Sequence, residues 1–116
     1  MDHRTERIAE ALREELAELV EYEMSDPRVD GIVVTSVHIS PDKHQAHVCI
    51  GFTEGSDAKE ALKALEGARG FLRRELARRL EMYRIPELRF AADISPGLGS
   101  RMQHLMNRVR KGRPRE

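Results

Sequence analysis

The chain has 116 residues, 40% hydrophobic and 34% charged, with one cysteine and no tryptophan. That length suits a single domain with a modest core, and the lone Cys49 excludes an intrachain disulfide or an all-thiolate metal cage. The net charge of zero hides a polarity: residues 1–24 hold three basic against eight acidic side chains, residues 25–68 four against seven, and residues 69–116 thirteen against five. Such a skew points to a polyanionic partner for the C-terminal half. The longest apolar run is too short to span a membrane, and no apolar stretch follows a basic start, so a cytosolic protein without a signal peptide is expected.

From His3 to Met24, Ile8, Leu12, Leu16, Leu19 and Val20 recur at helical spacing, and the other face is mostly glutamate. That acidic face reads as solvated surface, or as a side that repels a polyanion approaching wrongly. Pro27 and Gly31 end the helix. Ile32–Ser40 reads as a strand, Pro41-Asp42-Lys43 as a turn, and His44–Thr53 as the return, with Ala46, Val48, Ile50 and Phe52 alternating. The alternation describes a sheet buried on one face, to which Val37 and Ile39 belong. Ile32-Val33-Val34 is apolar on both faces, which alternation does not explain.

Asp57 with Glu60 resembles a capping box and opens a second helix with Ala58, Ala61, Leu62 and Leu65 on its buried stripe. Gly67-Ala68-Arg69-Gly70 interrupts it. Two glycines in a helical pattern disfavour it by roughly 1 kcal/mol each, so a kink is expected there. With Gly70 at positive φ, Gly70→Ala should destabilise and Gly67→Ala should be neutral or mildly stabilising. In the third helix Leu72, Leu76, Leu80 and Tyr83 share one side, Arg74 and Arg78 point opposite, and Arg73 and Arg79 flank them. Pro86 is expected to end it. Leu88, Phe90 and Ala92 alternate as a third strand, Ser95–Gly99 reads as a loop, and Ser100 with Gln103 caps a last helix through Met102, Leu105, Met106 and Val109. Residues 1–110 then form one domain, and residues 111–116 a flexible charged tail.

Three short strands with helices on one face make an α+β sandwich of two layers. This order resembles the ribosome-binding factor A family over residues 4–109. The likeness rests on Arg4-Thr5-Glu6-Arg7-Ile8-Ala9, Asp26-Pro27-Arg28, Val34-Thr35-Ser36-Val37 with Ile39-Ser40-Pro41-Asp42, Ala68-Arg69-Gly70-Phe71-Leu72-Arg73 with Arg79-Leu80, and Pro86-Glu87-Leu88-Arg89-Phe90. The resemblance implies a type II KH-like domain in which an Ala-x-Gly interhelical kink, here Ala68-Arg69-Gly70, replaces the Gly-x-x-Gly loop. Gly67 makes the same tetrad spell Gly-x-x-Gly, so a sharp kink and a more open loop both remain. The resemblance also implies a cytoplasmic, monomeric, non-catalytic factor that binds the free small (30S) ribosomal subunit near the decoding-site neck. It would assist late maturation of 16S rRNA, support growth in the cold, and leave with help from an assembly GTPase, without a cofactor.

Independently of that likeness, Arg69, Arg73, Arg74, Arg78, Arg79 and Arg84 suit phosphate, because a planar guanidinium can grip two oxygens at once. With Ala68 and Gly70 they are the expected RNA-binding residues. Glu75–Arg79 pairing on a solvated helix is the plainer explanation. Aromatic residues form only 4% of the chain, which argues against a base-stacking platform. His44 and His47 point to opposite faces of a strand, and His38 and His47 could be cross-strand neighbours on the open face, but two imidazoles without a carboxylate make a weak site, so neither metal nor nucleophile is expected. Gly97-x-Gly99 lacks the Lys-Ser/Thr of a nucleotide-binding loop. The rival reading is a protein-interaction module that docks a partner through the open sheet face or the acidic first helix.

Overall fold

The structure, a computed structural model, describes residues 3–53, 55–94, 98, 104 and 105. Helix α1 spans His3–Glu18 and buries Ala9, Leu12, Leu16 and Ala17. It runs on through a wider turn, Leu19–Glu23, where the Met24 N–H donates to the Leu19 carbonyl at 3.0 Å. That π-type turn lets the adjacent Leu19 and Val20 both face inward. The helix stop is built by Asp26. Its carboxylate accepts from the Arg28 N–H at 2.9 Å and holds the Arg28 guanidinium at 2.7 Å. The Arg28 side-chain hydrogen bond keeps the Asp26 carboxyl below its usual value. Asp26-Pro27-Arg28 thus closes on itself as a turn.

Strands β1 (Ile32–Ile39) and β2 (Gln45–Phe52) are antiparallel, and β3 (Glu87–Ala92) lies parallel to β2, in the order β1-β2-β3. Parallel neighbours need a long crossover. Helices α2 (Ala58–Gly67) and α3 (Arg69–Leu80) supply it. Asp57 starts α2 by accepting the Glu60 N–H at 3.2 Å. Helices α1, α2 and α3 cover one sheet face, and the shared core includes Leu12, Leu16, Ile50, Leu65, Leu72 and Leu88. This is the two-layer α+β, KH-like architecture expected from the sequence.

The puzzle of Ile32-Val33-Val34 resolves at Thr35, where the β1–β2 register slips by one residue. The bulge puts Ile32 and Val34 on the core face together with Val37 and Ile39, and turns Val33 to the opposite face. There Val33 is buried against Leu98 and Leu105. The Thr35 hydroxyl reaches the Cys49 carbonyl at 3.1 Å and the Asp93 carboxylate, which satisfies a buried polar group.

Two expectations change at the end of α3. The helix stops at Leu80, because Glu81 takes the left-handed conformation (φ 52°, ψ 39°), and so Pro86 is not the terminator. The helical period therefore no longer applies at Tyr83, which is 99% exposed and not part of the apolar stripe. Met82 and Ile85 pack on the core in its place. The expected last helix and its cap, the Gly97–Gly99 loop and the tail of residues 111–116 lie outside the described residues, apart from the single positions Leu98, His104 and Leu105.

Candidate nucleic-acid interface

The bend between α2 and α3 is carried by Ala68, at φ −94° and ψ 5°. That is the sparsely populated bridge between helical and extended backbone. Its N–H still donates to the Ala64 and Leu65 carbonyls at 3.0 and 3.1 Å, and its carbonyl accepts from Leu72 N–H at 2.9 Å. The connection is therefore a one-residue kink and not an open loop, with hydrogen bonds running up to it on both sides.

Gly70, expected at positive φ, sits inside α3, and Gly67 is the last residue of α2; among the described glycines only Gly31 and Gly55 have positive φ. The single non-helical residue is an alanine, so neither glycine has a left-handed backbone to relieve. A Cβ on Gly67 would meet nothing within 4 Å, and one on Gly70 would meet only the tip of the flexible Arg74 side chain, at 3.3 Å. The expected sign for Gly70→Ala thus reverses. Both alanine variants should raise stability, by up to roughly 1 kcal/mol each and less at Gly70, because helix propensity then decides. Thermal unfolding of the two single variants checks this, and a lower midpoint for Gly70→Ala would restore the strained-glycine account.

The arginines divide by partner. Arg69 pairs with Glu66 at 2.7 Å and donates to the Leu88 carbonyl at 3.4 Å, and Arg73 donates to the Ile85 carbonyl at 2.7 Å. These two tie the start of α3 to β3 and its approach. Arg79, with a side chain only 17% exposed, gathers Glu15, Glu18, Glu23 and Glu75 within 3.3–3.8 Å. Part of the acidic face of α1 is therefore an internal counter-charge and not solvated surface. Arg78 extends outward and pairs with Glu75 at 2.6 Å. Its hydrogen bond holds the Glu75 carboxyl below the usual glutamate value. Arg74 and Arg84 are exposed and make no ion pair among the described residues.

Two features, the buried Arg13 and a cleft beside α1, escaped the sequence reading. Arg13 is buried, with its fork on Glu10 at 2.8–3.1 Å. Its spacing from Ala9, Leu16 and Val20 placed it on the apolar stripe and was the available signal. On the open sheet face His38 and His47 are cross-strand neighbours as the sequence suggested, and Arg89 extends their row to the third strand, all three exposed. His44 lies in the turn outside that row, and among the described residues no three His, Cys, Asp or Glu side chains could hold a metal. Finally, a cleft of about 350 Å³ opens between the start of α1, the β1–β2 turn and the segment after α3, with Arg4, Lys43 and Arg84 among its lining. No helix among the described residues is long and apolar enough to cross a membrane.

Comparison with known proteins gives a consistent result. The family described as Ribosome-binding factor A matches residues 4–106. A ribosome-binding factor A from Solibacter usitatus is 45% identical over 99% of this chain and 94% of its own length. One from Aromatoleum aromaticum is 47% identical over 91% of this chain and 84% of its own. Among solved structures, the crystal structure of ribosome-binding factor A from Thermus thermophilus superposes with a TM-score of 0.71 at 31% identity, covering 79% of this chain and 99% of that one. A homology model of the Thermus thermophilus factor, fitted into a cryo-EM map of a 30S complex, gives 0.60 at 30% identity, covering 79% of this chain and 93% of that one.

Proposed function

The chain belongs to the ribosome-binding factor A family, and on that premise we propose that it is a non-catalytic assembly factor for the small ribosomal subunit. It binds the free 30S particle and assists late maturation of 16S rRNA, including in the cold, as a cytoplasmic monomer released with the help of an assembly GTPase. The observation that carries this reading is the Thermus thermophilus relative fitted in a 30S complex. The division of arginines supports it. An RNA surface needs cations whose charge is not already used; Arg74 and Arg84 meet that condition, and Arg78, two-thirds exposed, would exchange its Glu75 partner for phosphate.

In this reading Arg69, Arg73 and Arg79 serve the RNA mainly by fixing the angle of α3, while Arg74, Arg78 and Arg84 touch phosphate. With Ala68 packed on the core, Gly67 leaves the outside of the kink as nearly bare backbone and Gly70 is covered only by the flexible Arg74 tip, so a sugar–phosphate chain can approach closely. Backbone and shape recognition of this kind suits a folded rRNA.

The test is sedimentation of cell lysate, in which the chain should travel with free small subunits and little with assembled ribosomes. Recovery only in the soluble top fractions at low salt, with subunits present, would sink the proposal. The double variant Arg74→Glu/Arg78→Glu should bind subunits more weakly and with a flatter salt dependence. Each phosphate contact contributes about 0.9 to the log–log slope on duplex DNA and less on single strands. Far-UV circular dichroism should not change, since both side chains point into solvent. A protein-docking module would instead show little salt dependence and no effect of the double variant.

A further inference from the structure

The cleft at the start of α1 has a composition that the kink surface lacks. Its floor is apolar, with Ile8, Ile39 and Met82, while Arg4, Lys43 and Arg84 come to it from three different elements and no acidic residue is among the described residues that line it. A site for inorganic phosphate alone would have no use for that floor, and an apolar ligand would have no use for three cations. A nucleotide uses both, with an apolar base and an anionic linkage. Beside the cleft stands Tyr83, between Met82 and Arg84 in sequence, at 99% exposure. Adjacent Cα atoms are about 3.8 Å apart, so its backbone lies at the rim, while its ring is not part of the lining and stands in solvent. An aromatic ring with both faces in water is a ready surface for a nucleobase.

We propose that this cleft is a single-stranded RNA subsite: one unstacked base sits on the Ile8–Ile39–Met82 floor and a neighbouring base stacks on Tyr83. Arg4, Lys43 and Arg84 hold the phosphates between and beside them. The proposal deepens the RNA-binding role above and rests on it, and it places stacking on one exposed tyrosine in a chain too poor in aromatic residues for a base-stacking platform. It also predicts a preference for unpaired over duplex RNA, since paired bases cannot be splayed onto a ring or into a cleft.

The chain has two tyrosines and no tryptophan, so Tyr22→Phe leaves Tyr83 as the sole emitter. At low salt a single-stranded RNA hexamer should quench that emission by at least about half, whereas inorganic phosphate and a duplex of equal length should not. Tyr83→Ala and Arg84→Glu should each weaken hexamer binding by about fivefold or more, in the range that one stacked base supplies. Wild-type protein carrying 3-fluorotyrosine gives the same answer by fluorine NMR should Tyr22→Phe not fold. There the Tyr83 resonance should move with the hexamer and the Tyr22 resonance should not. Hexamer binding without a response at Tyr83, equal binding of the duplex, or displacement of the hexamer by a polyglutamate peptide at similar concentration would overturn the proposal. No subunit is present in this experiment, so its result is separate from that of sedimentation. Wild-type protein that leaves the small subunit alone counts against the assembly role, and an unresponsive Tyr83 counts against the cleft.

Discussion

Replacing Arg79 with methionine should lower the unfolding free energy by about 2–3 kcal/mol, a larger loss than at any other arginine of α3. Its guanidinium lies within 3.3–3.8 Å of Glu15, Glu18, Glu23 and Glu75, whose side chains are only 25–38% exposed. Removing it leaves four carboxylates close together without the cation they share, while Arg78 stays on Glu75. Breaking a buried pair from one side typically destabilises by 3–5 kcal/mol, because the remaining charge stays uncompensated. Partial exposure of these glutamates reduces that figure through solvent screening. For a domain of this size the midpoint of thermal unfolding should fall by about 10 °C. Adding Glu15→Gln should recover part of the loss, while Arg74→Met should leave the midpoint unmoved. If Arg79→Met melts within a degree or two of the parent, the cluster is a set of independent surface contacts.

Gly31→Ala should destabilise by about 2–4 kcal/mol. The residue has φ +80°, where an L side chain is strained by roughly 1–2 kcal/mol. Its Cβ would also lie 2.6 Å from the Thr53 hydroxyl oxygen. That hydroxyl donates to the Gly31 carbonyl at 2.6 Å, alongside the Thr53 N–H at 3.1 Å, and the two bonds clamp the start of β1 to the end of β2. Displacing the hydroxyl adds about 1 kcal/mol for the lost bond. Urea unfolding measures the sum. In a Thr53→Ala background most of the steric part should vanish, leaving the Ser56 hydroxyl at 3.0 Å, and the backbone part should persist, so an unchanged midpoint in both backgrounds would remove this clamp from the account.

Most of the architecture was legible because it rests on periodicity. Alternation located β2 and β3, the threefold and fourfold spacings located α1 to α3, and the glycine pair located the kink to within one residue. The bulge at Thr35 was not legible, because a pattern of period two carries no mark of a single inserted residue. It left only the unexplained apolar run at Ile32–Val34. The site was less legible than the fold. Spacing along a helix tells which way Arg69, Arg73 and Arg79 lean, but not what lies across from them. The acceptors of Arg69 and Arg73 are backbone carbonyls of Leu88 and Ile85, groups that every residue carries and no sequence marks. Tyr83 was misplaced for a related reason. The left-handed turn at Glu81 is adopted by a residue with no special preference for it, so nothing in the sequence announces that the helix has ended.

The slip at Thr35 also bears on how this chain behaves among its own copies. Among the described residues β1 is an outer strand of the sheet, and its free side carries a row of peptide groups onto which another extended chain could add. A flat eight-residue strand as apolar as Ile32–Ile39 would be a ready template for such addition. The extra residue bends the strand and breaks the even spacing of that row. Newly made copies crowded together in the cell therefore meet an edge that accepts no straight partner, and solubility is protected by the same residue that turns Val33 toward Leu98 and Leu105.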